Sequence, residues 1–401
     1  MSTRILLPRP LAHVRGRLRP LVKVDLTATL LYGLFGGMTF PFFAVIARRL
    51  GAGPLALSFL VAAPAVGMLL SLLWARLLRR WSAATVLAWS GALSRGLFLL
   101  TPLIRTSAAY IGLIFCFHAA NSATSPAYTQ VVGVIYPVEE RGRIVGIVRT
   151  GMALAWIVAS LAGGRLHQSL PFQWVFAVAG LFGIAGSLVY RRLGGAFSLF
   201  HREVEAPRGA FAAVRSDLRF RRFLVAFFLY GTGYWLSAPA VPILLVDVLR
   251  ATDFQVGLLA STSSLFWLLS YRFWGRVIDR KGAMGTLRWA YTMGFFTPLV
   301  YLVAPNVWVL LLAAAIDGVV TAGIDLLWMF AIMEMAPRQE IAAYTALYNT
   351  SVGIRGTTMP FLSGFLLQFI PVRAIFGLAM GSILASIWLA RRLRNTLREI
   401  S

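Results

Sequence analysis

Apolar residues run along this chain in long blocks, separated by short stretches rich in arginine, glycine and proline. A helix rises about 1.5 Å per residue, so roughly 20 apolar residues cross the hydrocarbon core of a bilayer. The blocks predict twelve transmembrane helices, at 26–48, 55–76, 84–104, 108–134, 143–167, 172–192, 222–247, 255–275, 285–304, 307–334, 341–368 and 373–391. Strands of a membrane β-barrel alternate apolar and polar residues with period two, and these blocks do not, so the expected fold class is an all-α polytopic membrane protein.

The second half repeats the first at an offset of 200 residues. Trp74-Ala-Arg76-Leu-Leu-Arg79-Arg80 lies over Trp274-Gly-Arg276-Val-Ile-Asp279-Arg280, and Gly164, Gln168 and Pro171 lie over Gly364, Gln368 and Pro371. Tyr32-Gly33 and Pro41 match Tyr230-Gly231 and Pro239 at a slightly smaller offset. Each half holds six spans in the same orientation, which predicts two parallel, pseudo-symmetric six-helix bundles related by an axis along the membrane normal. The expected organisation is a tail at 1–24, a bundle at 25–192, a linker at 193–221, a second bundle at 222–391 and a tail at 392–401. The end of the linker, Phe211 to Arg222, is basic and amphipathic and reads as lying on the membrane surface.

Composition agrees with lipid as the solvent: of 401 residues 59% are hydrophobic and 13% charged, with a mean hydropathy of +0.76. The net charge of +24 is almost all arginine, with lysine only at Lys23 and Lys281. The basic residues concentrate in alternate connections, such as Arg76, Arg79 and Arg80, Arg141 and Arg143, Arg191 and Arg192, and Arg276, Arg280 and Lys281. They read as topology signals that place both termini in the cytoplasm and the protein in the plasma (inner) membrane, not as a stripe for nucleic acid. Cys116 is the sole cysteine, so no disulfide within the chain is possible and no cysteine-based metal site is available. The basic, proline-interrupted N-terminus lacks the apolar core of a signal peptide.

Polar groups inside a bilayer are costly and face the bundle interior or a wet cavity. In span 10, Asp317, Thr321, Asp325 and Trp328 recur at helical spacing on one face; the matching face of span 4 carries His118, Asn121, Ser125 and Tyr128. Arg355 in span 11 lies between the two aspartates in depth, which predicts a buried triad that either ties helices together or moves a proton. In the second case Asp325 or Asp317 gains and loses a proton as its surroundings and its distance to Arg355 change. Arg149 in span 5 is placed to meet a gate or an anionic substrate, and Arg95 in span 3 has no evident partner in the sequence.

Gly275-Arg276-Val-Ile-Asp279-Arg280-Lys-Gly282, between spans 8 and 9, resembles the G-x-[LIV]-x-D-R-x-G signature of the major facilitator superfamily, and with the six-plus-six repeat the resemblance covers essentially the whole chain. It implies a conformational latch of Gly275, Arg276, Asp279, Arg280 and Gly282, with Asp279 set against the start of span 5 near Arg141 to Ile144 and Glu334 partnering Arg276 or Arg280. The first-half copy departs, with Ala75, Arg79 and Ser82 in place of Gly, Asp and Gly. The span 5 pattern of drug antiporters, G-x-x-x-G-P-x-x-G-G, is half present: Gly163 and Gly164 fit, Ala159 and Ser160 replace the Gly-Pro. In this family spans 1, 4, 7 and 10 line the central cavity, so Tyr32, Tyr230, Tyr234 and Trp235 would add aromatic walls to the two polar stripes.

The resulting expectation is a secondary-active carrier, not an enzyme, working without a cofactor by alternating access and as a monomer. Its partners are the bilayer, a small-molecule substrate and protons as coupling ion. The acids and aromatic rings suit proton-coupled efflux of a hydrophobic or cationic compound. Arg149 and Arg355 suit instead uptake or exchange of an organic anion or other metabolite, and a non-transporting sensor or scaffold is a third reading. No phosphate-binding loop of a primary pump is present.

Overall fold

A computed structural model describes residues 18–70, 74, 81–193, 217–337 and 340–398. Among these residues every regular element is helical, and they form twelve successive spans. Span 1 joins the helix Arg19–Thr39 to Phe43–Arg49 through a 3₁₀ turn; span 2 is Pro54–Leu69; span 3 is Ala83–Gly96 with a 3₁₀ extension to Leu103. Span 4 consists of Ser107–Asn121 and Thr124–Ile135, span 5 is Val138–Ser169, and span 6 is Phe172–Val189. In the second half, span 7 runs through Leu218–Ser237, Ala240–Ile243 and a π-helical turn Leu244–Val248, span 8 is Asp253–Lys281 and span 9 is Ala283–Val303. Span 10 is Leu310–Met335, span 11 is Ile341–Leu366 and span 12 is Val372–Arg398. Seven of the helical stretches are long and apolar enough to cross a membrane on their own composition.

The repeat is visible in the packing. Spans 1 and 5 pack together as spans 7 and 11 do; span 1 on span 6 matches 7 on 12, and span 2 on span 4 matches 8 on 10. Spans 1 and 7 both break where the prolines recur, at Pro41 and at Pro239, because proline supplies no N–H to the preceding turn.

Three expectations change. Span 1 begins earlier than residue 26 and takes in Asp25. Span 4 is not one helix: Pro126 denies its N–H to Ser122, and the chain restarts at Thr124 with the proline in its first turn, where it is tolerated. Span 7 begins at Leu218, capped by Asp217, whose carboxylate accepts from the N–H groups of Arg219 and Phe220 at 2.9 and 3.1 Å. Arg219 and Arg221, expected in the linker, thus belong to the first turn of this helix. The basic stretch before Asp217, the N-terminal tail before residue 18 and Arg76, Arg79 and Arg80 lie outside the described residues.

Large apolar side chains cover the outside, with Leu103 76% and Phe369 70% exposed, as lipid-facing residues are. Trp89 and Trp289, equivalent under the repeat, each carry basic groups over the indole, Arg191 in one case and Lys281 and Arg288 in the other. Such pairs mark the headgroup level at the face of the termini.

The halves meet at the opposite face, here called distal. Span 5 packs on span 8 and span 2 on span 11. Gly164 and Gly257 let the first pair approach so closely that a Cβ at Gly164 would stand 2.7 Å from the Asp253 carbonyl. Ser58 donates to the Pro360 carbonyl at 2.7 Å and Ser261 to the Ile157 carbonyl at 2.9 Å. Two ion pairs finish the closure: Arg48 grips both Asp247 oxygens, with a shortest distance of 2.6 Å, and Arg49 meets Asp253 at 2.5 Å.

Candidate functional site

Both span 10 carboxylates are held by span 8. Asp317 accepts from Ser263 Oγ at 3.1 Å, and Asp325 accepts from Trp267 Nε1 at 2.9 Å and Tyr271 Oη at 2.8 Å. Ser263, Trp267 and Tyr271 recur every four residues, one face of a helix, a stripe the sequence displays and the reading of spans 4 and 10 missed. Asp325 is exposed despite lying in mid-span, which places it on open space between the helices. Thr321 is half-buried between the two acids, and Trp328 stacks on Tyr348 of span 11 at 4.8 Å and 7°.

Arg355 does not join these acids. It is 5% exposed, donates to the Phe227 carbonyl, lies 4.7 Å over the Phe227 ring and, among the described residues, has no carboxylate within ion-pair range. Tyr230, Tyr291 and Tyr348 surround it, and Gly231 leaves room for its guanidinium where a Cβ would collide. The expected Asp317–Arg355–Asp325 triad is therefore not formed in this conformation: the arginine prefers a carbonyl and ring faces on span 7 to a position across the bundle.

Arg95 finds the same solution in the first half. It donates to Ser187 and lies 4.7 Å over the ring of Tyr32, so Tyr32 faces a cation in its own bundle. Its counterpart under the repeat, Tyr230, stacks on Tyr291 at 4.6 Å. Tyr234 is exposed and meets Trp235 edge-on at 5.8 Å. Arg149 is exposed on span 5 and close enough to act electrostatically on Tyr128 of the first half and Tyr271 of the second. Asp325 and Arg149 thus stand on opposite bundles, both near Tyr271.

The span 4 residues separate at the helix break. His118 is packed among Phe117, Phe40 and Phe43, at 4.9, 6.0 and 6.1 Å, and Asn121 keeps a buried side-chain oxygen without a partner among the described residues. Beyond the break Ser125 is exposed, while Tyr128 donates to Asp25 at 3.2 Å. Asp25, 1% exposed, also accepts from Tyr136 at 2.8 Å and Tyr190 at 2.9 Å, a carboxylate caged by three phenols from spans 4 and 6. The sequence hid this group because it sits just outside the apolar block of span 1, and its partners are more than a hundred residues away.

The signature between spans 8 and 9 takes a different form from the one the resemblance implies. Glu334 is not paired with Arg276 or Arg280; its carboxylate accepts from the N–H groups of Ala283 and Met284, at 2.5 and 3.3 Å, and caps span 9. A carboxylate at a helix N-terminus satisfies orphan donors and favours the dipole, a better use of the charge than an exposed arginine offers. Gly282 makes the sharp corner with φ +71°. Gly275 is half-buried, and Arg276, Asp279 and Arg280 are exposed; among the described residues Asp279 has no bond to the start of span 5. That latch would operate at the terminal face, and in this structure the halves are tied at the distal one.

A cavity of about 240 Å³ opens within the second half, between spans 7, 9, 10 and 12, with Asp317, Tyr230, Tyr234 and Tyr301 in its wall. Among the described residues no group of three or more His, Cys, Asp or Glu could hold a metal ion.

The fold matches solved carriers. The crystal structure of the nucleoside transporter NupG, in a point-mutant form, superposes with a TM-score of 0.72 at 12% identity, over 92% of this chain and 98% of that one. A bacterial homolog of the human lysosomal transporter Spinster, in an inward-facing and unoccupied conformation, gives 0.63 at 12% identity, over 95% and 96% of the two chains. No curated protein matches the sequence. The model of the Major Facilitator Superfamily matches residues 26–235 and again 223–399, two matches that overlap within span 7 and together cover both bundles. Two parallel six-helix halves, the corner at Gly282 and this double match make the chain a member of the Major Facilitator Superfamily of membrane transporters.

Proposed function

We propose that the protein exports a hydrophobic or cationic organic molecule in exchange for protons, the two bundles rocking around a central site that opens to the terminal face here. The observation that carries this reading is the placement of charge in the second half. Both its mid-span carboxylates are at or near open space, backed by Trp267, Tyr271, Tyr230 and Tyr234, while Arg355 is withdrawn among aromatic rings. A carboxylate among ring faces attracts an organic cation. A carboxylate that alternates between two sides of a membrane can also carry a proton, and a proton taken up by one acid lowers the negative charge that a cation at the other acid feels, which couples their movements. Asp325, exposed and held through one oxygen, suits the proton. Both termini are assigned to the cytoplasm by the arginine-rich connections, so the open face is the loading face for export.

Arg149 supports a second reading, exchange of an organic anion, since it is exposed on span 5 and acts electrostatically on tyrosines of both bundles. The test is transport in proteoliposomes with an imposed pH gradient, using a lipophilic cation such as tetraphenylphosphonium, an organic anion and an uncharged nucleoside. Cation movement that follows the gradient and is lost in Asp325→Asn supports the proposal. Anion accumulation lost in Arg149→Ala replaces it with the second reading, and gradient-independent movement removes the proton.

A further inference from the structure

The cavity beside Asp317 lies inside one bundle, not between the two. Its walls come from spans 7, 9, 10 and 12, which pack on one another whatever the position of the first half. Three tyrosines surround the acid. Tyr230 is fixed by stacking on Tyr291 at 4.6 Å and 11°, and Tyr301 by stacking on Phe376 at 5.2 Å and 21°. Tyr234 is the exposed member of the lining. Asp317 receives one side-chain hydrogen bond, from Ser263 to Oδ2, and Oδ1 has no partner among the described residues. Gly294 is part of the arrangement: a Cβ there would stand 2.5 Å from the Tyr230 hydroxyl and push the ring out of place.

We infer that this cavity is a binding site for an organic ammonium group, which holds the cationic end of the cargo inside the second bundle while the rest of the molecule lies in the central space. An ammonium needs an anionic acceptor and ring faces in a dry setting, and pre-stacked tyrosines supply the faces without losing side-chain freedom on binding. At about 240 Å³ the cavity is smaller than the roughly 300–1,000 Å³ of pockets for whole drug-sized ligands, so it selects a head group or a small amine. Because the site belongs to one bundle, the head group keeps its partners while the halves rock, and Asp325 is left free for the proton. The inference rests on the cationic reading of the cargo given above.

The experiment is a thermal-shift titration of the purified full-length protein with three probes of matched shape: 2-phenylethylamine, 2-phenylethanol and phenylacetate. The wild type is expected to be stabilised by the amine alone, since a ligand that binds the folded state raises its melting point. In Asp317→Asn, and in Thr297→Phe, which fills the cavity while keeping the acid, affinity for the amine falls by about tenfold or more, and Asp325→Asn retains it. Melting points without ligand show that each variant is folded, and whichever of the two cavity variants folds carries the test. If the amine shift survives in Asp317→Asn and Thr297→Phe but disappears in Asp325→Asn, the site is wrong while a cationic cargo stands. Stabilisation by phenylacetate in place of the amine overturns both, and no amine shift in the wild type at millimolar concentration overturns the site.

Discussion

At the scale of single residues, the buried charges of this protein are satisfied by phenols, carbonyls and ring faces more than by opposite charges. Asp25 shows the energetic consequence. Its three tyrosines donate their hydroxyls to this one buried carboxylate, and each buried polar group left unsatisfied costs roughly 1–3 kcal/mol. Asp25→Leu is expected to destabilise the first bundle by several times the effect of Tyr128→Phe, which removes one donor; thermal unfolding of the two variants compares them. Arg355 makes a similar test of packing. Gly231→Ala places a methyl group against the guanidinium and is expected to cost about 1–3 kcal/mol as overpacking. In the double variant Gly231→Ala with Arg355→Ala the collision is gone, so the added loss relative to Arg355→Ala alone shrinks toward zero. An undiminished loss would mean that Gly231 serves something else.

At the scale of elements, the corner between spans 8 and 9 uses a positive φ and a borrowed cap. Gly282 at φ +71° and ψ 163° ends one helix and begins the next, in a region open essentially to glycine alone, and an alanine there is strained by roughly 1–3 kcal/mol. Glu334, at the end of span 10, ties that corner to its neighbour through the Ala283 and Met284 N–H groups. Glu334→Gln is expected to weaken the tie by about 0.5–2 kcal/mol, seen as faster amide exchange in the first turn of span 9 and not elsewhere. Uniform change across the bundle would contradict the cap. The family signature was legible at this corner from its spacing alone. Which acid served which donor was not, because Glu334 is about fifty residues from its partners and an arginine pair looked equally available from the sequence.

At the scale of the whole molecule, closure at the distal face is an equilibrium held by named contacts. Arg48–Asp247 and Arg49–Asp253 join span 1 to the second bundle, and partly exposed pairs of this kind contribute modestly, up to about 1 kcal/mol each. A small bias is enough to move a two-state population. Arg48→Asp and Asp247→Arg are each expected to open the distal face, and the two together to close it again. The readout is maleimide labelling of Ser261→Cys, buried at the contact between spans 5 and 8, in a background with Cys116 replaced. Equal labelling in all four proteins would show that small-residue packing, not the ion pairs, holds the closure.

Length, hydropathy and self-similarity by themselves determined the helical class, the twelve spans and the parallel repeat, and the Gly275–Gly282 signature pointed to the family, because these depend on lipid as solvent and on patterns local in the chain. The spacing of Asp317 and Asp325 in span 10 was also legible, since helical spacing is a local property, but the single face expected of span 4 is parted where the helix breaks before Thr124. Tertiary structure decided everything that turns on a partner distant in sequence: the phenol cage of Asp25, the withdrawal of Arg355, the span 8 side chains that hold both aspartates, and which face is closed. The physical reason is range. Hydrophobic pattern states which side of a helix avoids lipid, but a buried charge selects among several donors within a few ångströms, and only the packed bundle sets those distances.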